Sequence, residues 1–197
     1  PLTDYLVIKS RSITGEVESR TRIEVLVSRA QNGDNGAFTL LYQEYVQPIY
    51  RYIYVRVGQA EQAEDLTQDV FLKALDNIGR YRDKGQPFAS WLFRIAHNLV
   101  IDHYRQVKKN KYIPLTETIT VIDDNNLVAT LEHDMEISEI KQAIEKLPTQ
   151  QREVISLRFG SDLSVTETAL AIGKTEGTVK KLQHVALSRL RKMMSNE

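Results

Sequence analysis

The chain has 197 residues, with 26 Lys and Arg balanced by 26 Asp and Glu, and 42% of it is hydrophobic, enough for one packed domain or two small ones. It has no Cys, which excludes disulfides and thiolate metal sites, and no apolar run reaches the length of a membrane span or of a signal-peptide core. A cytoplasmic protein without membrane insertion is the expectation. The zero net charge hides a pattern: residues 1–111 carry 16 Lys/Arg against 13 Asp/Glu, 112–149 carry 2 against 8, and 150–197 carry 8 against 5. Two mildly basic blocks flank an acidic connector.

Residues 1–22 are polar and aperiodic and read as an N-terminal arm. Ile23, Leu26, Val27 and Ala30 then mark a short amphipathic helix that ends at Asn32-Gly33-Asp34. A second helix carries Phe38, Leu41, Tyr42, Tyr45 and Val46, and Pro48 is expected to kink or restart it. The third helix, through residues 61–75, turns Leu66, Val70 and Phe71 inward. Glu61, Asp65, Gln68, Asp69 and Asp76 are left on an acidic outer face, which would repel nucleic acid and suits a protein partner. A loop at 79–86 follows, in which Tyr81 is the aromatic ring expected to be exposed.

Pro87 opens the most informative helix. Trp91, Leu92, Ile95, Ala96 and Leu99 share a core-facing stripe. Arg94, Asn98, Ile101, Asp102 and Arg105 share another, followed by Lys108, Lys109 and Lys111. An amide among positive charges suits a nucleic-acid backbone with a base or two read at close range. Helical periodicity then lapses from 106 to about 133. It returns with Met135, Ile137, Ile140 and Ile144, and again with Val154, Ile155 and Leu157 before Gly160. Ser164 to Glu167 spells a capping box, Gly173 permits a left-handed turn, and Thr175 caps a final helix with Val179, Leu182, Ala186 and Leu190 inward. Short helix, glycine turn and longer helix make a helix-turn-helix. Thr175, Gly177 and Thr178 allow close approach to phosphate, while Lys180, Lys181, Gln183 and His184 can reach bases or backbone in a major groove.

Catalytic constellations are poor. His97, His103, His133 and His184 have no metal-ligand spacing, and neither a Gly-rich phosphate loop nor a nucleophile elbow occurs. No catalytic residue, metal or cofactor is expected.

Two blocks of motifs, in this order, resemble the extracytoplasmic-function sigma factors of bacterial RNA polymerase. Ala37-Phe38, the run Ala63 to Phe71, Pro87-Phe88, Trp91-Leu92, Arg94-Ile95-Ala96, Asn98-Leu99 and Ile101-Asp102 look like their region 2. Leu147-Pro148, Arg152-Glu153-Val154, Leu163-Ser164, Glu167, Ala169, Gly173 and Gly177 to Lys180 look like region 4. The resemblance implies an all-α protein of two small helical domains, a region 2 bundle over 23–107 and a region 4 helix-turn-helix over 134–197, joined by a flexible acidic linker over 108–133. It further implies a non-catalytic subunit that binds core RNA polymerase through the largest-subunit clamp and the flap, recognises and melts promoter DNA and directs initiation. Asp65, Gln68 and Asp69 would dock on the clamp. Tyr81, Arg82, Asp83, Lys84, Asn98 and Arg105 would meet the minus-ten element, and Thr175, Gly177, Thr178, Lys180, Lys181, Gln183 and His184 the minus-thirty-five element. An anti-sigma factor is a family-level expectation. Leu182 and Val185 stand where many members carry Arg, which puts minus-thirty-five affinity in question. Competing readings are a dimeric helix-turn-helix repressor, which needs no polymerase, and a helical enzyme, which needs a polar pocket.

Overall fold

The computed structural model describes residues 13–110 and 142–195. Among these residues the regular elements are all helical, and no helix is long and apolar enough to cross a membrane. The first module consists of α1 (Ile13–Gln31), α2 (Asn35–Val57), α3 (Ala60–Asn77), a 3-10 turn (Ile78–Arg80) and α4 (Phe88–Asn110). The second begins with a helical turn at 142–145. It continues through α5 (Thr149–Ile155), a π-helical turn (Ser156–Gly160), α6 (Val165–Ile172) and α7 (Glu176–Met194).

Helix ends follow local chemistry. Asp34 caps α2 by accepting from the Ala37 N–H at 3.0 Å and pairs with Arg29 at 2.7 Å. The backbone hydrogen bond first, and Arg29 second, hold its carboxyl below the usual carboxylate range. Gly58 ends α2 at φ 75°, a left-handed conformation that costs glycine nothing.

Three expectations need correction. The arm expected over 1–22 is helical from Ile13 onward. Before Ile23 the only large apolar residues of this helix are Ile13 and Val17, too few to mark a stripe; an Arg20–Glu24 pair at 3.0 Å, one turn apart, supports it. Pro48 does not restart α2, which runs on through it to Val57. The linker does not begin at residue 108, because α4 continues to Asn110, through Lys108 and Lys109, which favour helix. The rest of the linker, 111–133, and Met135, Ile137 and Ile140 lie outside the described residues.

In the first module α2 packs on α1 and α3, and α4 lies across α2 and α3. Leu41, Ile49, Tyr52, Ile53, Val70, Leu92, Phe93 and Val100 are fully enclosed. In the second, α5 and α6 pack on α7, with Ala143, Leu147, Ile155, Ala186 and Leu190 as a small core. The modules also touch. α4 packs broadly on α6, and the π turn packs on α2. Val154, Leu157, Leu163, Ala169, Ile172 and Val179 therefore join the core of the first module.

One polar cluster sits in that seam. Oε1 of Glu153, from α5, accepts from the Tyr52 hydroxyl at 2.9 Å, from the Arg56 guanidinium and from Nδ1 of His97 at 2.7 Å. The Arg56 and Glu153 side chains are each only 6% exposed. Burial works against the carboxylate, but the His97 hydrogen bond and the Arg56 charge outweigh it and hold Glu153 below its ordinary value.

Candidate nucleic-acid interface

On α3, Ala63, Leu66, Val70, Phe71 and Ala74 recur at helical spacing and are buried. Glu61, Glu64, Asp65, Gln68, Asp69 and Asp76 are thereby turned to solvent. Beside this acidic face the helix also exposes Leu72, at 60%, and Leu75. These two, with Phe38, Tyr42, Gln68 and Phe71, line an open groove of about 250 Å³. Tyr42 and Phe71 meet edge to face at 4.7 Å in its lining. Sequence periodicity finds the charged half of this surface. It misses the apolar half, because Leu72 and Leu75 read as ordinary helix formers.

The C-terminal end of α3 and the middle of α4 enclose a second pocket of about 310 Å³, lined by Lys73, Asn77, Arg80, Tyr81, Trp91, Ile95, Asn98 and Leu99. Two amides, two cations and two aromatic rings meet there, a combination that can hold a planar polar group such as an unpaired base. Asn98 is exposed at its mouth. Periodicity and motif do not single out Lys73, Asn77 and Arg80. Their signal is faint: polar residues recurring along the helix past the acidic stretch.

Tyr81 does not have the exposure expected of it. It is 8% exposed, its hydroxyl donates to the Gln86 carbonyl at 2.8 Å, and its ring packs on Phe88 and Trp91 at 5.6 and 5.1 Å. Burial first, and the neighbouring Asp83 charge second, push its hydroxyl far above the usual phenol range. The ring is a wall of the pocket. Gln31 holds the loop in place by donating to the carbonyls of Ile78 and Tyr81 at 2.9 and 2.8 Å. Arg82 folds back to donate to the carbonyls of Gly79 and Tyr81, and Asp83 accepts from the Gly85 N–H at 3.1 Å. Lys84 remains exposed at the tip. Arg105 lies two turns beyond Asn98 and pairs with Asp102 at 3.1 Å, both side chains well solvated. Such a pair contributes little and leaves Arg105 available to a phosphate.

In the second module the capping box forms as the spacing requires. Ser164 Oγ accepts from the Glu167 N–H at 3.1 Å, and Glu167 accepts from the Ser164 N–H at 2.8 Å. Gly173 turns the chain at φ 64° into α7. Thr175 caps that helix by accepting from the Thr178 N–H at 3.2 Å, and Glu176 accepts from Thr166 across the turn at 2.7 Å. A Cβ on Gly177 would meet only Thr175 Oγ1, at 4.0 Å, so packing does not demand glycine there. Thr175, Gly177, Thr178, Lys180, Lys181 and His184 are exposed, and Gln183 is half-buried. Lys180 pairs with Glu176 at 3.7 Å, while the Gln183 carbonyl accepts from Arg158 at 3.1 Å, which fixes its amide. Arg158 also donates to the Leu163 carbonyl, a role that no local pattern signals. Leu182 and Val185 are half-buried on the inner flank of the helix.

Three exposed faces result. The acidic and apolar face of α3 and the pocket of α3–α4 adjoin on the first module, and the N-terminal half of α7 projects from the second.

Comparison with known proteins agrees with this layout. The family model for Sigma-70 region 2 matches residues 41–110, and that for Sigma-70 region 4 matches residues 143–192. The chain is 39% identical over 180 residues to the ECF RNA polymerase sigma factor BldN of Streptomyces coelicolor, covering 89% of this chain and 67% of that one. It is 34% identical over 177 residues to SigD of Mycobacterium tuberculosis, 86% and 82% of the two chains. With SigW of Bacillus subtilis it shares 33% identity over 181 residues, 87% and 96% of the two. Among solved structures, CnrH in complex with the cytosolic domain of CnrY superposes with a TM-score of 0.67 at 22% identity, covering 89% of this chain and 99% of that one. The sigma factor RpoE bound to the anti-sigma factor NepR from Bartonella quintana gives 0.61 at 23%, with 80% and 96% covered. At such identity these two show the fold.

Proposed function

We propose a division of labour among these faces from the premise that this chain belongs to the sigma-70 family of RNA polymerase sigma factors. Its function is accordingly promoter recognition and transcription initiation with core polymerase, and sigma factors are non-catalytic initiation factors. The face of α3 docks on core polymerase, with Asp65, Gln68 and Asp69 meeting basic groups and the groove of Leu72 and Leu75 taking an apolar side chain. The pocket at Asn98 receives an unpaired base of the minus-ten element, flanked by Lys73, Asn77 and Arg80, while Arg82, Asp83, Lys84 and Arg105 border the same strand. The N-terminal half of α7 enters the major groove at the minus-thirty-five element through Thr175, Gly177, Thr178, Lys180, Lys181, Gln183 and His184. Residues 23–110 act as the polymerase and minus-ten module and 142–195 as the minus-thirty-five module. The chain itself catalyses nothing and works in the cytoplasm, where the polymerase is. An anti-sigma factor is a fitting regulator, since a solved protein of this fold is a sigma factor bound to one.

The observation that carries the reading is the separation of charge: acidic and apolar on α3, amide and cationic at the pocket and on α7. Pulldown with core polymerase and run-off transcription test it. Charge reversal of Asp65 and Asp69 together should weaken core binding about tenfold or more at unchanged helicity, the scale of losing two charged contacts at an interface. Unaltered affinity would reject the docking face. A repressor would bind duplex DNA without any polymerase.

A further inference from the structure

The loop that walls the pocket is held from outside the pocket. We propose that Gln31, at the end of α1, is a positioning residue of the base-reading site. It fixes the Tyr81 wall, so that Arg82 can leave the loop for a strand phosphate without the pocket losing its shape. The contacts stand on their own; the base and the phosphate rest on the promoter reading above.

Residues 81–87 form neither helix nor strand, so no ladder of backbone bonds fixes them. The 3-10 turn before them ends in carbonyls that no following turn satisfies. Two side chains supply the donors. Gln31 Nε2 engages both of its hydrogens, on the carbonyls of Ile78 and Tyr81 at 2.9 and 2.8 Å, from 47 and 50 positions away. Arg82 reaches the Gly79 carbonyl at 2.9 Å and shares the Tyr81 carbonyl at 2.8 Å. A carbonyl has two lone pairs, so Tyr81 accommodates both donors at once. When Arg82 departs, the Tyr81 oxygen keeps Gln31, and Gly79, an exposed residue, turns to water. Without Gln31, Arg82 is the donor that remains to the Tyr81 carbonyl among the described residues, and the guanidinium is tied to the loop.

The other ties to this loop are weaker or internal. Arg20, also on α1, approaches Asp83 at 3.8 Å, but the side chains are 60% and 32% exposed, and a solvated pair contributes little. Asp83 accepts from the Gly85 N–H at 3.1 Å and so shapes the tip from within. The firm tie between α1 and the loop is therefore the Gln31 amide. What it holds is the residue whose ring packs on Trp91 at 5.1 Å and lines the pocket with it. A binding site keeps its contacts only while its groups stay within about 0.5 Å of their places, which supporting hydrogen bonds secure.

The test uses the full chain, in which Trp91 is the one tryptophan and lines the pocket, so that its fluorescence is the probe. Gln31→Met keeps the length of the side chain and removes both donors, while Gln31→Lys keeps a donor. Without DNA, acrylamide should quench Trp91 about twofold more strongly in Gln31→Met at unchanged helicity, as local opening of the loop requires. Gln31→Lys and Arg82→Ala should match the unvaried chain. A random-sequence single-stranded DNA oligonucleotide should quench Trp91 by stacking in the pocket. Its affinity should fall about tenfold in Gln31→Met, the scale of two lost hydrogen bonds. Arg82→Ala should instead flatten the log–log salt dependence by about 0.7, one phosphate of a single strand. Unaltered Trp91 accessibility and affinity in folded Gln31→Met, or an equal gain of accessibility in Gln31→Lys, overturns the positioning role. A slope unmoved by Arg82→Ala overturns the release of that side chain. Gln31→Glu, of the same shape and also without a donor, decides if Gln31→Met loses helicity. An oligonucleotide that leaves Trp91 of the unvaried chain unquenched counts against the base pocket, and the DNA-free accessibility then decides Gln31 by itself.

Discussion

Removing the Tyr81 ring takes away its packing on Phe88 and Trp91 and its hydroxyl bond to Gln86. Truncation of a buried aromatic side chain costs about 3–5 kcal/mol. Tyr81→Ala should therefore lower the melting temperature markedly and reduce transcription only through lost fold. Asn98 lines the same pocket yet is exposed and makes no contact that a melt would register as comparable. Asn98→Ala should leave the melting temperature within a degree or two, a surface change being worth about ±0.5 kcal/mol. Run-off transcription from a cognate promoter should nonetheless fall, with core affinity unchanged. The two variants, melted and transcribed side by side, separate the wall of the pocket from the group that contacts its ligand. Normal transcription from Asn98→Ala would exclude its base contact.

At the scale of the element, α7 divides its residues between packing and approach. Val179, Ala186 and Leu190 are buried, while Lys180 and Lys181 face out. Each phosphate neutralised adds about 0.9 to the log–log dependence of duplex affinity on salt. Lys181→Ala should flatten the slope by nearly that amount. Lys180→Ala should flatten it less, because Glu176 already shares that charge at 3.7 Å. Titrations on minus-thirty-five duplex at several salt concentrations read both, and an unmoved slope for Lys181→Ala excludes a phosphate contact there. The inner flank of α7, the capping box before it and the acidic face of α3 are legible in the sequence because each depends on residues within one or two turns. Spacing alone places Ser164 opposite Glu167, or Asp65 and Asp69 away from Leu66 and Val70. Tyr81 is not legible, since glycine and charge around it signal a turn while the stacking that buries it involves α4. Nor is Glu153, whose partners lie 56 to 101 positions away. The sequence marks Arg152-Glu153 as part of a motif and is silent on what the carboxylate meets.

The whole molecule is two modules that local patterning builds and one seam that only tertiary structure creates. Apolar surface of α4, α6 and the π turn supplies the contact area, and Glu153 supplies its sensitivity to conditions. The groups facing that carboxylate are Tyr52 and Arg56 from α2 and His97 from α4. Burial and the Glu153 charge push the Tyr52 hydroxyl up, and Arg56, against its own burial, is also raised by Tyr52 and Glu153 beside it. Neither changes charge in acid. Glu153 does: in the seam its value lies below the ordinary 4.5. A depressed carboxyl stabilises the packed seam at any pH above its value in water, and that contribution is lost as pH falls through the lowered one. The melting temperature should therefore fall as pH drops below about 4.5. In Glu153→Gln that acid limb should shrink, because the amide cannot take up the proton. Melts of the two chains at a series of acid pH values read the difference, and a limb of unchanged size in the variant would place the titrating group elsewhere.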